Sequence, residues 1–265
     1  WSTNKFKKNK FKTLTEYLHE NEYYTHADVL NKLIVPKQGF DEFIVHDEDN
    51  YNLILRHKAI LEKTKKICTG KNYFLYLHCS IIHTGIKNEV LNVYGNFSQE
   101  FFDNAELNWN RYTRLFKEAE NYLESILEEI KKLEMDKDTM ILVMSDHGVS
   151  TGEKFGEHAY AAFCYDYTLR TFTYFLTPDL PVIEIKNQTR TIDFMPTILE
   201  YLKIPLDDNF SHVNGVSLLP YIHGNPVPEN YAFTETGNPL QEKTPPKEPN
   251  VKSVRTSKWK LIYNE

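Results

Sequence analysis

The sequence predicts an α/β fold: a three-layer α/β/α sandwich around a mostly parallel central sheet, followed by a small antiparallel unit at the carboxyl end. Three observations lead there. The apolar runs Tyr73-Phe74-Leu75-Tyr76-Leu77 and Thr139-Met140-Ile141-Leu142-Val143-Met144 read as strands, the second as a buried one. The segment between them, from about Trp109 to Leu133, carries a helical period, and strand–helix–strand is the pattern of a parallel crossover. Both strands end in polar chemistry, the first in His78, Cys79 and Ser80, the second in Ser145-Asp146-His147-Gly148. In open α/β sheets the carboxyl ends of strands form the ligand-binding edge, so the two polar ends are expected on one edge of one sheet.

The elements follow in chain order. Thr13 to Glu20 reads as a helix with Leu14, Tyr17 and Leu18 on one face. Tyr23 to Val29 is a short strand, and Gly39-Phe40-Asp41-Glu42-Phe43 a turn with aromatic residues and no clear period. Leu53 to Lys66 is a second helix, with Leu55, Ala59 and Ile60 expected inward. The long helix places Tyr112, Leu115, Phe116, Ala119, Tyr122, Leu123, Ile126, Leu127 and Ile130 at three- and four-residue spacing, and Asp136-Lys137-Asp138 breaks it. A Gly-rich loop follows Asp146, then a strand over Thr171 to Leu176. Thr191 opens a further helix, with Pro196 in its first turn and Ile204-Pro205 closing it. Between Asn225 and Asn250 clustered prolines imply an irregular excursion, and Val251 to Tyr263 reads as two antiparallel strands around Ser257. The expected division is one domain over 1–224 and a small one over 225–265.

Composition bounds the function. With 265 residues, 41% hydrophobic and 14% aromatic, the chain can bury a large core. A net charge of -6 argues against a nucleic-acid binder, and the basic start from Lys5 to Lys12 reads as a solvated face. No apolar stretch is long enough to cross a bilayer, and no leader is visible. The three cysteines, Cys68, Cys79 and Cys164, form neither a disulfide framework nor a zinc spacing, so a reducing, cytoplasmic compartment is the default. The Asn-x-Ser/Thr triplets at Asn96, Asn187 and Asn209 occur often by chance.

Asp146 and His147 are the candidate metal ligands. Both residue types bind divalent ions, and Gly148 permits a sharp turn behind them. Alternatively, Asp146 caps the following turn. His83 is a candidate proton donor, since imidazole titrates near neutral pH; otherwise it is a loop histidine satisfied by backbone. His78 is expected beside the site, buried and hydrogen-bonded. His158, in Gly156-Glu157-His158, either lines the substrate pocket or sits on a mobile loop. Lys154 is a solvated loop charge or a substrate contact. Arg170 is expected to pair with Asp166 or a nearby carbonyl.

In this order the motifs resemble the sulfatase branch of the alkaline-phosphatase superfamily. The resemblance rests on Thr13 to Leu18 with Tyr23-Tyr24-Thr25; Gly39 to Phe43; Phe74 to Ile86 with His83-Thr84-Gly85; Ser145 to Gly148; Gly156-Glu157-His158 followed by Tyr165 to Arg170; Asp193 to Leu199 with Gly215 to Pro220; and Val254-Arg255-Thr256 to Tyr263. It spans nearly the whole chain. It implies a hydrolase cleaving a small-molecule or carbohydrate sulfate ester. Asp146 and His147 would be half of a one-metal site, His83 the acid, and His158 and Lys154 substrate contacts. An oxygen-rich site with one histidine points to Ca2+ first, with Mg2+ or Mn2+ as alternatives.

Two departures stand out. No cysteine or serine lies in the family's C/S-x-P-S-R nucleophile context, and the paired aspartates that accompany it are not found. The chain is therefore read as a middle-to-late portion of a longer protein, inactive alone on aryl sulfate esters. Lys154 also sits earlier, relative to Gly156, than the family's sulfate-binding lysine. No Asp-x-x-x-His pair occurs between Lys87 and Met144, which disfavours a two-zinc phosphatase. Two alternatives stay open: a one-metal phosphoryl hydrolase or transferase of the phosphoglycerol or phosphoethanolamine type, and a non-catalytic relic.

Overall fold

Local signals start the helices where they are found. Thr13 Oγ1 accepts the Glu16 N–H at 3.1 Å while the Glu16 carboxylate accepts the Thr13 N–H at 2.8 Å, a capping box that opens α1 (Leu14–Glu20). After it come β1 (Tyr24–Val29), β2 (Glu42–Val45), α2 (Leu53–Ile67), β3 (Tyr73–Leu77) and α3 (Ile81–Ile86), which runs into a π-helical turn over Lys87–Leu91. Next are α4 (Gln99–Asp103), α5 (Ala105–Lys132), β4 (Ile141–Met144), α6 (Asp166–Leu169), β5 (Thr173–Leu176) and α7 (Phe194–Tyr201). The last are α8 (Leu219–Ile222), β6 (Ala232–Thr236), β7 (Val251–Arg255) and β8 (Lys260–Asn264). The structure is a computed structural model describing residues 11–48, 52–95, 97–160, 163–207, 213–225, 227–237 and 250–264. Residues 226 and 238–249 of the proline-rich stretch, and the triplet residues Asn96 and Asn209, lie outside the described residues.

The chain divides into two compact units, the first from residues 1–81, 119–138 and 192–219, the second from 82–118, 139–191 and 220–265. The first holds a parallel sheet in the order β2-β1-β3, with Asp28 level with Ile44 and Leu77. Asp41 fixes the start of β2: its carboxylate accepts the Thr25 N–H at 2.8 Å and the Thr25 hydroxyl at 3.0 Å. Tyr17, Leu18, Leu199 and Ile204 form an apolar core there, with Phe74 and Met195 packed against it. The Asp193 and Gly215 motifs lock together, since Asp193 Oδ1 accepts the Val216 N–H at 3.0 Å and Thr197 Oγ1 the Leu218 N–H at 2.9 Å.

A polar cluster is buried at the carboxyl edge of this sheet. Asp28, fully buried, accepts from Arg56 Nε on one oxygen and lies 2.7 Å from His46 Nδ1 on the other. His57 Nδ1 is 2.5 Å from the Tyr122 hydroxyl, and His57 Nε2 is 3.8 Å from Asp28 Oδ2. Burial pushes the His57 imidazole down to about 4; the Asp28 carboxylate opposes this, and His46, Arg56 and His78 add to it. His78 sits on the same edge, where its Nδ1 accepts the Leu30 N–H at 3.4 Å.

The cluster explains one correction. Leu55 is 66% exposed and Ala59 is exposed as well; the buried residues of α2 are Leu53, His57, Ile60, Leu61 and Thr64. The helix is turned to bring His57 inward, and a purely apolar criterion passes over a histidine that is buried because it is hydrogen-bonded.

The second unit carries a core of Ile86, Val90, Phe101, Leu115, Val149 and Ala159. Its two-stranded sheet pairs β4 antiparallel with β5, Ile141 opposite Leu176 and Met144 opposite Thr173. This differs from the expectation that the strands here numbered β3 and β4 share one sheet. β4 is returned upon by the chain: the Ser145 N–H donates to Phe172 O at 3.2 Å, and the Phe172 N–H to Ser145 Oγ at 3.2 Å. Nor is β4 fully buried, for Met144 is 39% exposed. The three-stranded antiparallel sheet β6-β7-β8 closes the chain, and its β7–β8 hairpin turns at Ser257 as expected. β6 lies in the stretch read as irregular; its alternating half-buried pattern fits a strand between proline clusters.

Two further corrections concern α5 and Asp166. The helix ends at Lys132, before Asp136: Glu134 takes φ 55°, and Met135 N–H reaches back to Ile130 O at 3.0 Å. That is a Schellman-type stop made without glycine. Phe116, assigned to the inward stripe, is 37% exposed. Asp166 pairs with Arg255 at 3.1 Å and Lys260 at 2.7 Å rather than with the exposed Arg170, which donates only its backbone N–H to Asp166 O. Burial would raise the Asp166 carboxyl, but the two cations hold it below the usual range.

Candidate active site

The loop after β4 is shaped by Gly148. A Cβ there would lie 2.2 Å from Tyr167 O, so glycine is required for close approach of the loop to α6, and the Gly148 N–H donates to Thr168 O at 2.9 Å. Its role here is space for that approach, since Gly148 is not among the positive-φ residues. Held in this way, Asp146 and His147 face outward with side-chain exposures of 77% and 40%.

His147 Nδ1 donates to Gly148 O at 2.7 Å. A carbonyl only accepts, so Nδ1 carries the proton and the lone pair of a neutral ring is on Nε2. That nitrogen is 3.6 Å from Asp146 Oδ2. Two such donors can share one divalent ion, whose bonds to oxygen and nitrogen run roughly 2.0–2.6 Å. A metal-ligating histidine is commonly oriented by a bond from its other nitrogen, and here the Gly148 carbonyl takes that part. The pair therefore fits as a partial metal site; among the described residues no group of three or more His, Cys, Asp and Glu side chains is placed to hold an ion.

His83 projects from α3. Gly85 lets that helix close on α5, where a Cβ would meet Leu115 Cδ2 at 2.2 Å, and Ile86 is buried in the core beneath. His83 is exposed, its Nδ1 is 3.1 Å from the Tyr160 hydroxyl, and the two rings stack at 13° with centroids 5.9 Å apart. Tyr160 also meets the His147 ring edge-on at 5.2 Å. Tyr160 thus gathers His83 and His147 into one cluster. Sequence reading missed it because it lies two residues past the Gly156-Glu157-His158 motif.

The side chains of His158 and Lys154 make other contacts. His158 is 9% exposed, packs edge-on against Phe101 at 5.8 Å, and its imidazole is pushed down by burial, partly offset by a backbone bond at Tyr94. Lys154 is exposed, with its ammonium 5.9 Å from the Tyr165 ring centre. Buried Glu157 accepts from the Tyr167 hydroxyl at 2.7 Å and secures the loop between them.

The sequence profile described as Sulfatase matches residues 2–204. The chain belongs to the sulfatase family. A choline-sulfatase of Rhizobium meliloti (strain 1021) is 27% identical over 170 residues, covering 61% of this chain and 31% of that protein. The fold is shared with the phosphonate monoester hydrolase from Silicibacter pomeroyi, at TM-score 0.67 and 16% identity, over 97% of this chain and 72% of that one. It is shared too with a protein solved in complex with its substrate D-glucosamine-2-N,6-O-disulfate, at TM-score 0.62 and 15% identity, over 98% and 74%. The chain therefore spans about a third of the curated sulfatase it matches. Among the described residues, no helix of this sulfatase-family chain is long and apolar enough to cross a membrane.

Proposed function

We propose that the protein is a sulfuric ester hydrolase using one divalent cation, held in part by Asp146 and His147, with His83 as the acid. The observation that carries this is the outward-facing pair, Oδ2 and Nε2 3.6 Å apart, with the imidazole oriented by Gly148 O. Membership of the sulfatase family supports the reaction class. Ca2+ is the first cation to test, then Mg2+ and Mn2+.

A bound cation neutralises the non-bridging oxygens of the ester. Asp146 and His147 orient it by fixed donors, so that little reorganisation is needed as charge develops. His83, exposed on α3, gives its Nε2 proton to the departing oxygen. The nucleophile and the remaining acidic ligands are proposed to lie on polypeptide preceding Trp1. The short coverage of the choline-sulfatase is consistent with that arrangement. His158 and Lys154 are proposed to contact the substrate from the loop that Glu157 secures.

The substrate classes to test first are choline sulfate and sulfated amino sugars, after the similar choline-sulfatase and the protein solved with a disulfated glucosamine. The phosphonate monoester hydrolase likeness favours a second reading, phosphoryl-ester cleavage on the same scaffold. An assay of the full-length protein with aryl sulfate and aryl phosphonate esters, with and without metal, separates them. Metal-dependent sulfate ester cleavage is expected, together with no turnover by the 265-residue chain alone. Preference for the phosphonate would replace the first reading with the second, and turnover by the chain alone would refute the placement of the nucleophile.

A further inference from the structure

We propose that Tyr160 is the positioning residue for His83: its phenol oxygen accepts from His83 Nδ1–H, so that the proton His83 gives up is the one on Nε2. The inference rests on the reading of His83 as the acid. The hydroxyl lies 3.1 Å from Nδ1, and the stacked rings, 13° apart, restrict rotation of the imidazole about its own axis. Tyr160 is itself held from both sides. Before it, Ala159 is fully buried at φ 64°, a conformation unusual for a residue with a Cβ. Ala159 O accepts the Ser150 N–H at 2.7 Å, and the Tyr160 N–H donates to His158 O at 2.9 Å. Beyond it, the His147 ring packs edge-on at 5.2 Å, so one tyrosine registers the acid against the metal pair.

The proton balance follows from the side-chain chemistry. An imidazolium carries a proton on each nitrogen. Nδ1–H stays bonded to Tyr160, the Nε2–H bond breaks, and its proton passes to the departing ester oxygen. The neutral ring that remains is the Nδ1–H tautomer, still bonded to Tyr160, with its lone pair on Nε2. No ring flip is needed to take up the next proton.

The test reads tautomers directly, by two-bond 1H–15N correlation on the histidines of the intact chain above the titration range. Neutral His83 is expected to be mainly the Nδ1–H form. Tyr160→Phe, which keeps the ring stack, is expected to shift the Nδ1–H to Nε2–H ratio by roughly fivefold toward Nε2–H, the worth of one ordinary hydrogen bond. A mainly Nε2–H ring in the unmodified protein, or an unchanged ratio in the variant, overturns the proposal. Tautomers are observed without turnover, so absence of ester cleavage would count against the hydrolase reading and leave this result standing.

Discussion

Acid should destabilise the first unit through His57. The side chain is fully buried, with Nδ1 on the Tyr122 hydroxyl, and the folded imidazole takes up its proton at about 4 instead of 6.5. Between those values the unfolded chain binds a proton that the folded chain refuses. Stability contributed by neutral His57 is therefore whole above about pH 6.5 and falls as pH drops, with no further loss below about pH 4. At about 1.4 kcal/mol per pH unit, going from pH 7.5 to 4.5 costs on the order of 2–3 kcal/mol from this group alone. That is a large part of a typical domain's stability of roughly 5–15 kcal/mol. Other groups, such as buried His26 and the paired Asp166, also respond to acid, so the measurement is a difference. Urea unfolding at the two pH values is compared for the unmodified protein and His57→Gln, which can still bond Tyr122 but does not titrate. The unmodified protein should lose about 2–3 kcal/mol more than the variant. Equal losses, within about 0.5 kcal/mol, would refute a buried neutral imidazole at this position.

Two further outcomes follow from backbone geometry. Gly148→Ala should lower stability by about 1–3 kcal/mol, because a Cβ 2.2 Å from Tyr167 O forces the loop off α6; an unchanged thermal midpoint would show that the loop does not rest there. Thr13→Ala should cost about 1 kcal/mol by opening the capping box of α1, read as a lower urea midpoint with unchanged slope; Thr13→Asp should restore most of it.

Much of this architecture was legible because its signals are local or periodic. The apolar face of α1 and the β7–β8 turn at Ser257 are written into neighbouring residues. The family motifs were legible for a different reason: several are pairs that close on each other, Thr25 with Asp41, Asp193 with Val216 and Asp166 with Arg255. What escaped were contacts set by distant segments. Asp28 on β1 was the available clue to the buried cluster, since a carboxylate is seldom buried unless paired. The cluster's other members, His46 just after β2, Arg56 and His57 on α2 and Tyr122 on α5, have no sequence spacing that announces them. The facing of α2 was misjudged for the same cause. In the site, Asp146, His147 and His83 stood out as residue types at strand and helix ends. Tyr160, which touches both histidines, did not, because an aromatic residue on a loop carries no chemical mark of its own.

The central claim is a divalent cation gripped at the end of β4. Mn2+ added at substoichiometric levels to the 15N-labelled chain tests it directly, through paramagnetic broadening of nearby resonances. The account predicts selective broadening at Asp146, His147 and the Tyr160 loop, removed by Asp146→Asn and competed by Ca2+. Broadening elsewhere, or broadening at these residues that survives Asp146→Asn, would contradict it.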